Sequence, residues 1–178
     1  SFDISHLPLA MVERIEIVRG PRAAFWGSDA IGGVIQIFTR EAGQFLEVRA
    51  GSYGRAELDA GFSVGDAENN FGISLGYGRA RGFSATNANE PFGSFNPDDD
   101  GFENRHLLLQ GKTTFGSHTF SAFGSATNAD IEFDQGESSS ENRELGFSLQ
   151  GDLTEQWQHT LTLGHSRETL ETPVFTSV

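Results

Sequence analysis

The sequence contains no cysteine and a single lysine, Lys112, and it has no long apolar run. Without cysteine there is no disulfide framework, no thiolate metal site and no cysteine nucleophile. A membrane-spanning helix needs about 20 consecutive apolar residues, and the absence of such a run excludes helical insertion. It does not exclude transmembrane β-strands, because their sequence signal is weaker. The formal net charge of −13 argues against nucleic acid as a partner, because phosphate contacts need a basic face.

Glycine and phenylalanine are abundant, with 22 and 16 copies, and this composition favours an all-β chain. From Gln44 onward, apolar residues alternate with small or polar ones. Phe71, Ile73, Leu75 and Tyr77, for example, are separated by glycine and serine. Such alternation predicts half-buried or membrane-facing strands. Seven segments of about ten residues show it, namely 43–52, 55–65, 70–82, 103–115, 117–128, 142–153 and 157–169.

The face opposite the apolar stripe is rich in glycine and serine and poor in lysine, which favours a membrane barrel with a crowded or wet lumen over a soluble β-sandwich. The connections also differ in length. Phe83–Phe102 is long and Ala129–Glu141 is moderately long, and both are predicted at the same end of the sheet. After the first hairpin, whose turn at Ser52-Tyr53-Gly54 is also short, the short turns fall at the opposite end. Outer-membrane barrels show this asymmetry, with short periplasmic turns and longer extracellular loops.

Residues 11–40 form a distinct segment before these strands. A strand is predicted from Val12 to Val18, and Pro21, which has no backbone N–H to donate, prevents it from continuing. A second strand is predicted from Gly33 to Thr39. ERIEIVRGP followed by GSDAIGGVIQIFTR resembles the end of the plug domain of TonB-dependent outer-membrane receptors. The resemblance implies that residues 1–40 are the C-terminal part of a plug. Residues 41–178 would then be the N-terminal strands and extracellular loops of a 22-stranded transmembrane β-barrel, here a partial barrel.

Acidic residues gather in the two longer connections. Asn96, Asp98, Asp100 and Gly101 match the start of an EF-hand loop, but Leu107 stands where the bidentate glutamate is required, so this is not an EF-hand. On the residues alone, a solvated acidic loop and a Ca²⁺ site completed by another segment both remain open.

The sequence DDDGF at 98–102, preceded by Arg81-Gly82-Phe83, resembles the cobalamin-receptor branch of the family. That resemblance implies calcium bound between the two acidic loops, with Asp98 and Asp100 as ligands and Asp134 as the contribution of the second loop. Asp99 and Asp130 are further candidates. Ser84 departs from the branch, which has aspartate there, and this puts one ligand in doubt.

Charged residues in the plug-like segment have two interpretations: they bind an anionic substrate, or they form ion pairs between the plug and the barrel wall, which we favour. They are Arg14, Arg19, Arg22, Glu13 and Glu16. Two G-x-S-x-G matches begin at Gly61 and Gly72, but both lie within predicted strands rather than at a strand-to-helix turn, so no nucleophile is expected. No histidine pair has zinc-binding spacing.

The expected function is that of a TonB-dependent receptor in the bacterial outer membrane that binds and imports cobalamin. Its extracellular loops would be ordered by Ca²⁺, and no catalytic residues are expected. The expected partners are outer-membrane lipid, the substrate, and the TonB energy-coupling complex, which would act through an N-terminal segment missing from this chain. A receptor for a ferric siderophore or haem is the nearest alternative, and a soluble calcium-binding β-sandwich adhesin is a remote one. The substrate contacts are not predicted.

Overall fold

The computed structural model describes residues 12–21, 30–39, 43–84, 86–89, 91, 95–134 and 136–172. The described residues contain no helix, and hence none that is long and apolar enough to cross a membrane. They fall into two compact units, one formed by the first two strands and one by the remaining seven. The strands are β1 (Val12–Arg19), β2 (Gly33–Thr39), β3 (Gln44–Ala50), β4 (Ala56–Gly65), β5 (Asn70–Ala80), β6 (Phe102–Phe115), β7 (His118–Phe133), β8 (Gly136–Thr154) and β9 (Trp157–Glu171).

The first unit is an antiparallel pair of β1 and β2, in which Ile15 lies opposite Ile37 and Ile17 opposite Ile35. Both strands agree with the prediction from the plug-like segment. Gly33 starts β2 with φ of +151°, and a Cβ there would lie 2.5 Å from the Val18 carbonyl oxygen. The close approach of the two backbones therefore requires glycine at this position.

The second unit is a seven-stranded antiparallel sheet in which each strand pairs with its neighbours in sequence. This arrangement confirms the predicted all-β fold of seven antiparallel strands, including the segments 103–115 and 117–128, whose alternation is the least regular. Within the described chain, β3 pairs only with β4 and β9 only with β8, so the sheet is open at both edges.

The two faces of the sheet differ sharply in chemistry. One row across six strands is entirely apolar or small: Val64, Phe71, Gly111, Ala122, Phe147 and Leu163. A row on the other face crosses all seven strands and is mostly polar: Glu47, Asp59, Gly76, His106, Thr127, Asn142 and Glu168. The apolar face is also open, since Leu46 and Val48 are each 72% exposed.

One predicted connection is wrong. Ala129–Glu141 was expected to form a moderately long loop, but β7 continues to Phe133 and β8 begins at Gly136. Polar cross-strand contacts extend the hairpin beyond the apolar band. Ser139 Oγ donates to Asp130 Oδ1 at 2.8 Å, and Arg143 Nη1 donates to Asn128 Oδ1 at 2.7 Å. Hydrogen bonds hold the strand pairing here, and residues 136–141 of β8 are polar or glycine on both faces, so β8 gives no period-two hydrophobic signal.

The irregular alternation at Phe123 has a packing cause. Phe123 lies opposite Gly146, and its ring occupies the space where a Cβ of Gly146 would stand. Phe45 covers Gly61 in the same way on the same face, nearer the β3 edge of the sheet. An aromatic ring over a cross-strand glycine fills the gap left by the missing side chain. The G-x-S-x-G matches lie within β4 and β5, as predicted, and form no strand-to-helix turn.

The sheet has two ends of different character. We call the end that carries residues 51–55, the described part of 81–101, and Asp134 the loop end. The turn end carries residues 66–69, 116–117 and 155–156. At the turn end, Asp66 Oδ1 accepts hydrogen bonds from the backbone N–H groups of Asn69 at 2.8 Å and Glu68 at 2.9 Å. These donors, that of Asn69 foremost, hold the pKa of Asp66 below its ordinary value.

We therefore expect Asp66 to stabilise the turn in a pH-dependent way. A lowered folded-state pKa adds stability above the unfolded-state pKa, and this contribution is lost as the pH falls through the folded-state value. The loss of stability on acidification should be smaller in Asp66→Asn than in the wild type, measured as the unfolding midpoint in denaturant from neutral pH to pH about 3. Asp152→Asn, which removes a carboxylate at the same end, should keep the wild-type dependence. Identical pH profiles for Asp66→Asn and wild type would contradict this role.

Candidate functional site

Three aspartates meet at the loop end of the seven-stranded sheet. Asp98, Asp100 and Asp134 each offer a carboxylate oxygen, and these atoms all lie within 4.8 Å of one another. The register explains the meeting, because Phe102 of β6 lies opposite Ile131 of β7. Residues just before β6 and just after β7 are therefore neighbours across an antiparallel pair. Within the described residues, this is the one group of three or more potential metal-ligating side chains at such distances.

Asp134 is enclosed at its charged end. Both of its carboxylate oxygens are inaccessible, and neither has a hydrogen-bond partner among the described residues. A buried carboxylate without a partner is costly, so this side chain lacks the compensation that such groups normally have. Asp98 is exposed and Asp100 is half-buried, which leaves the group open to solvent on one side.

The donor set fits a hard divalent cation. Oxygen ligands lie about 2.3–2.6 Å from Ca²⁺, so two oxygens on one ion are separated by at most about 5 Å. The observed limit of 4.8 Å falls within that span. All three donors are carboxylates, with no imidazole or thiolate, and such a set suits Ca²⁺ better than zinc or copper. The group alone leaves several coordination positions for backbone carbonyls or water.

The other two acidic candidates lie apart from this group. Asp130 belongs to β7, and its Oδ1 accepts the hydrogen bond from Ser139 across the β7–β8 pair. Asp99 is exposed and is not a member of the three-aspartate group. Ser84, where the resemblance expects aspartate, donates from Oγ to the Asn96 carbonyl oxygen at 3.0 Å. It therefore ties the two ends of the described part of the long connection to each other.

Sequence reasoning missed a polar cluster on the polar face, at the start of the sheet. Asp59 and His106 are 6% and 9% exposed, and Asp59 Oδ1 lies 3.4 Å from His106 Nε2. Arg49 reaches Asp59 Oδ2 at 3.2 Å and Glu57 Oε2 at 2.8 Å. Glu57 also pairs with Arg55 at 2.6 Å. Asp59 and Glu57 thus have arginine partners within their own unit.

The charged residues of the first unit also have local partners. Arg14 Nε bonds Glu16 Oε1 at 2.9 Å, Arg14 Nη1 lies 3.7 Å from Glu13 Oε1, and the guanidinium sits 3.7 Å over the ring of Phe38. Arg19 ends β1 opposite Gly33. Arg22 lies outside the described residues. The predicted ion pairs between plug and barrel remain a prediction.

Comparison with known proteins shows which proteins this chain is similar to. The protein-family model for the TonB-dependent receptor plug domain matches residues 1–34. The vitamin B12 transporter BtuB of Photobacterium profundum is 44% identical over 123 residues, which cover 66% of this chain and 20% of the transporter. The predicted resemblance to TonB-dependent receptors is confirmed. The chain's predicted likeness to the vitamin B12 branch is also confirmed.

For a TonB-dependent receptor, the two units have a direct interpretation. The plug match covers β1 and reaches the start of β2, and the alternating antiparallel sheet that follows is the expected start of a barrel. The chain spans about a fifth of the length of the transporter that it matches. The three-aspartate group lies at the end of the sheet with the longest connection, where loops of such barrels carry binding residues.

Proposed function

We propose that this chain is part of an outer-membrane receptor that binds cobalamin outside the cell and imports it, with loops at its outer end ordered by Ca²⁺. The 44% identity to a vitamin B12 transporter is the observation that supports cobalamin as the substrate. The three-aspartate group supports the calcium component. The loop end would face the exterior and the turn end the periplasm, since barrels of this class place long connections outside.

The apolar face supports a membrane location. Large side chains on it are about half exposed across the sheet, among them Phe62, Phe71, Leu75, Leu145 and Leu163. A continuous exposed apolar face is rare on soluble monomers and matches the lipid-facing band of outer-membrane barrels. The open edges at β3 and β9 would be paired in a complete barrel, because lipid does not tolerate unpaired backbone groups.

The transport role assigns no covalent chemistry to the chain. Binding would involve the loops and the plug apex, and import would follow when the TonB complex of the inner membrane pulls on the plug. No substrate bond is broken, so we propose a transporter and not an enzyme. The polar face, with its row of glutamate, aspartate, histidine and asparagine, would line the lumen, and outer-membrane lipid would surround the apolar face.

One Ca²⁺ would offset two of the three negative charges and cross-link the β5–β6 connection to the end of β7. Asp98 and Asp100 contribute from the first segment and Asp134 from the second. Without neutralisation, the three negative charges repel one another at this spacing, which would favour a more open arrangement of the loops. A closed arrangement would present a fixed surface to a large substrate and reduce the ordering cost of binding.

Calorimetry on the complete transporter in detergent tests this proposal directly. Cobalamin should bind tightly in millimolar calcium and at least about tenfold more weakly with chelator, if ordering the loops costs about 1.4 kcal/mol or more. Cobalamin binding that ignores calcium would remove the metal from the proposed mechanism. Failure to bind cobalamin under both conditions would overturn the substrate and leave a ferric siderophore or haem as the candidate to titrate next.

A further inference from the structure

At the loop end, the β3–β4 turn, the β5–β6 connection and the last residues of β7 are joined by contacts that do not use the side chains of the three candidate metal ligands. We infer that Glu132, Gly82 and Tyr53 form a brace, a set of positioning residues that holds Asp98 and Asp100 beside Asp134 before any cation binds. The brace deepens the proposed function, since its role in metal binding rests on the proposed calcium site. Its structural part stands without the metal.

Glu132 supplies the first link, between the β5–β6 connection and β7. The backbone N–H of Glu132 donates to the Gly101 carbonyl oxygen at 2.8 Å. The Gly101 N–H in turn donates to Glu132 Oε2 at 3.3 Å, so Glu132 engages both polar backbone groups of Gly101. Gly101 is buried, directly follows Asp100, and would place a Cβ 2.8 Å from the Glu132 carboxylate. Only glycine permits this approach without displacement.

Gly82 supplies the second link, under the backbone of Asp100. Gly82 has φ of +74°, and a Cβ there would collide with the Asp100 carbonyl oxygen and lie 2.6 Å from the Asp100 carbonyl carbon. Both the conformation and the space therefore exclude a side chain at Gly82. The chain leaving β5 thus forms a close backbone support for one of the three aspartates.

Tyr53 extends the brace to the β3–β4 turn. Its carbonyl oxygen accepts hydrogen bonds from the N–H groups of Arg81 at 3.0 Å and Gly82 at 3.2 Å. Its ring packs against Phe83 with the ring centroids 4.8 Å apart. Among the described residues, Tyr53 is the non-glycine residue with positive φ, at 58°. A bulky residue in this conformation is uncommon and persists where surrounding contacts fix it.

The purpose of such a brace follows from electrostatics. Three carboxylates within 4.8 Å repel one another in the cation-free protein. Backbone hydrogen bonds and close packing one or two residues away oppose that repulsion and hold the oxygens near the spacing a cation needs. Site rigidity is one of the factors that set the affinity of calcium sites, and pre-organisation reduces the ordering cost of binding.

Hydrogen exchange in the presence of chelator tests the brace independently of calcium. In the complete transporter in detergent, Glu132→Ala should raise the exchange rate of amides in the 96–102 segment by about tenfold, the change expected for one lost hydrogen bond. Glu132→Gln keeps an oxygen that accepts from Gly101 and should exchange like wild type. Glu137→Ala removes the acidic residue opposite Glu132 and should also match wild type. Unchanged exchange in Glu132→Ala, or equal effects of Ala and Gln, would overturn the inference.

A matched glycine pair tests the link to the metal. Gly82 and Gly116 have φ of +74° and +60°, but a Cβ on Gly116 would meet nothing within 4 Å. Gly82→Ala should therefore weaken calcium binding about tenfold by calorimetry, while Gly116→Ala, with a similar conformational penalty at the turn end, should not. Equal calcium affinity in the two variants would contradict the positioning role of Gly82. If the wild type binds no calcium, the proposed metal site fails, and the exchange experiment still decides whether the brace exists.

Discussion

Gly76→Ala is expected to destabilise the protein by about 1–3 kcal/mol, the range for overpacking a well-filled site. Gly76 lies in β5 between Asp59 of β4 and His106 of β6. A Cβ at Gly76 would collide with Asp59 Oδ1 and His106 Cε1, and it would lie 2.6 Å from His106 Nε2. Neither neighbour can withdraw easily, because both are buried and Asp59 is also held by Arg49 at 3.2 Å.

Gly111→Ala is the matched control for that substitution. Gly111 also lies inside a strand, β6, but its Cβ would make only ordinary contacts, 3.6 Å from the Asn70 carbonyl oxygen and 3.7 Å from Phe71 Cδ2. Alanine there should be neutral or slightly stabilising, because glycine in a strand interior carries an entropic cost. Denaturant unfolding in detergent measures both variants. Equal stability of the two variants would show that Asp59 and His106 move aside at little cost. A smaller destabilisation by Gly76→Ala in a His106→Ala background would locate the collision at the imidazole.

Alternating hydrophobicity was sufficient to predict the strands, because each one exposes an apolar face over most of its length. It failed at Ala129–Glu141, where the hairpin is held by polar pairs such as Ser139 with Asp130. Residues 136–141 of β8 are glycine, glutamate and serine on both faces and carry no period-two signal, so the sequence indicated a loop although Ala129, Ile131 and Phe133 of β7 alternate with acidic residues. The error concerned the length of β7 and β8 and left their order and pairing unchanged.

The three aspartates were named from a family resemblance, and the structure gives a physical reason for their meeting. Spacing alone did not distinguish Asp134 from Asp130. The distinction arises because β7 ends at Phe133, which places Asp134 beyond the ladder and Asp130 within it. Glu132 was missed since its partner is a backbone N–H of Gly101, and no side-chain pattern marks such a bond in the sequence. The Asp59–His106 pair was missed for a related reason: it depends on the register of three strands.

Asp134→Asn is expected to weaken calcium binding by at least about 100-fold, since loss of even an outer-sphere partner typically costs 10–100-fold. The substitution preserves the size of the side chain and one oxygen but removes the negative charge and the second oxygen. Both oxygens of Asp134 are inaccessible and lack a hydrogen-bond partner among the described residues, so in the proposed site a cation would supply the compensation that the wild-type carboxylate otherwise lacks. Calorimetry on the complete transporter in detergent should show this loss, together with cobalamin binding that no longer responds to calcium.

Asp130→Asn separates coordination from general electrostatic attraction in the same measurement. Asp130 is also acidic and close to the loop end, but its Oδ1 already accepts from Ser139 Oγ at 2.8 Å, and an asparagine oxygen can do the same. Losing one charge outside the coordination sphere should change calcium affinity little. At physiological salt, screening limits the interaction between exposed charges to a range of about 8 Å. Equal losses in the two variants would mean that calcium is attracted by the acidic surface as a whole. A selective loss in Asp134→Asn would assign the ion to the place where Asp98, Asp100 and Asp134 converge.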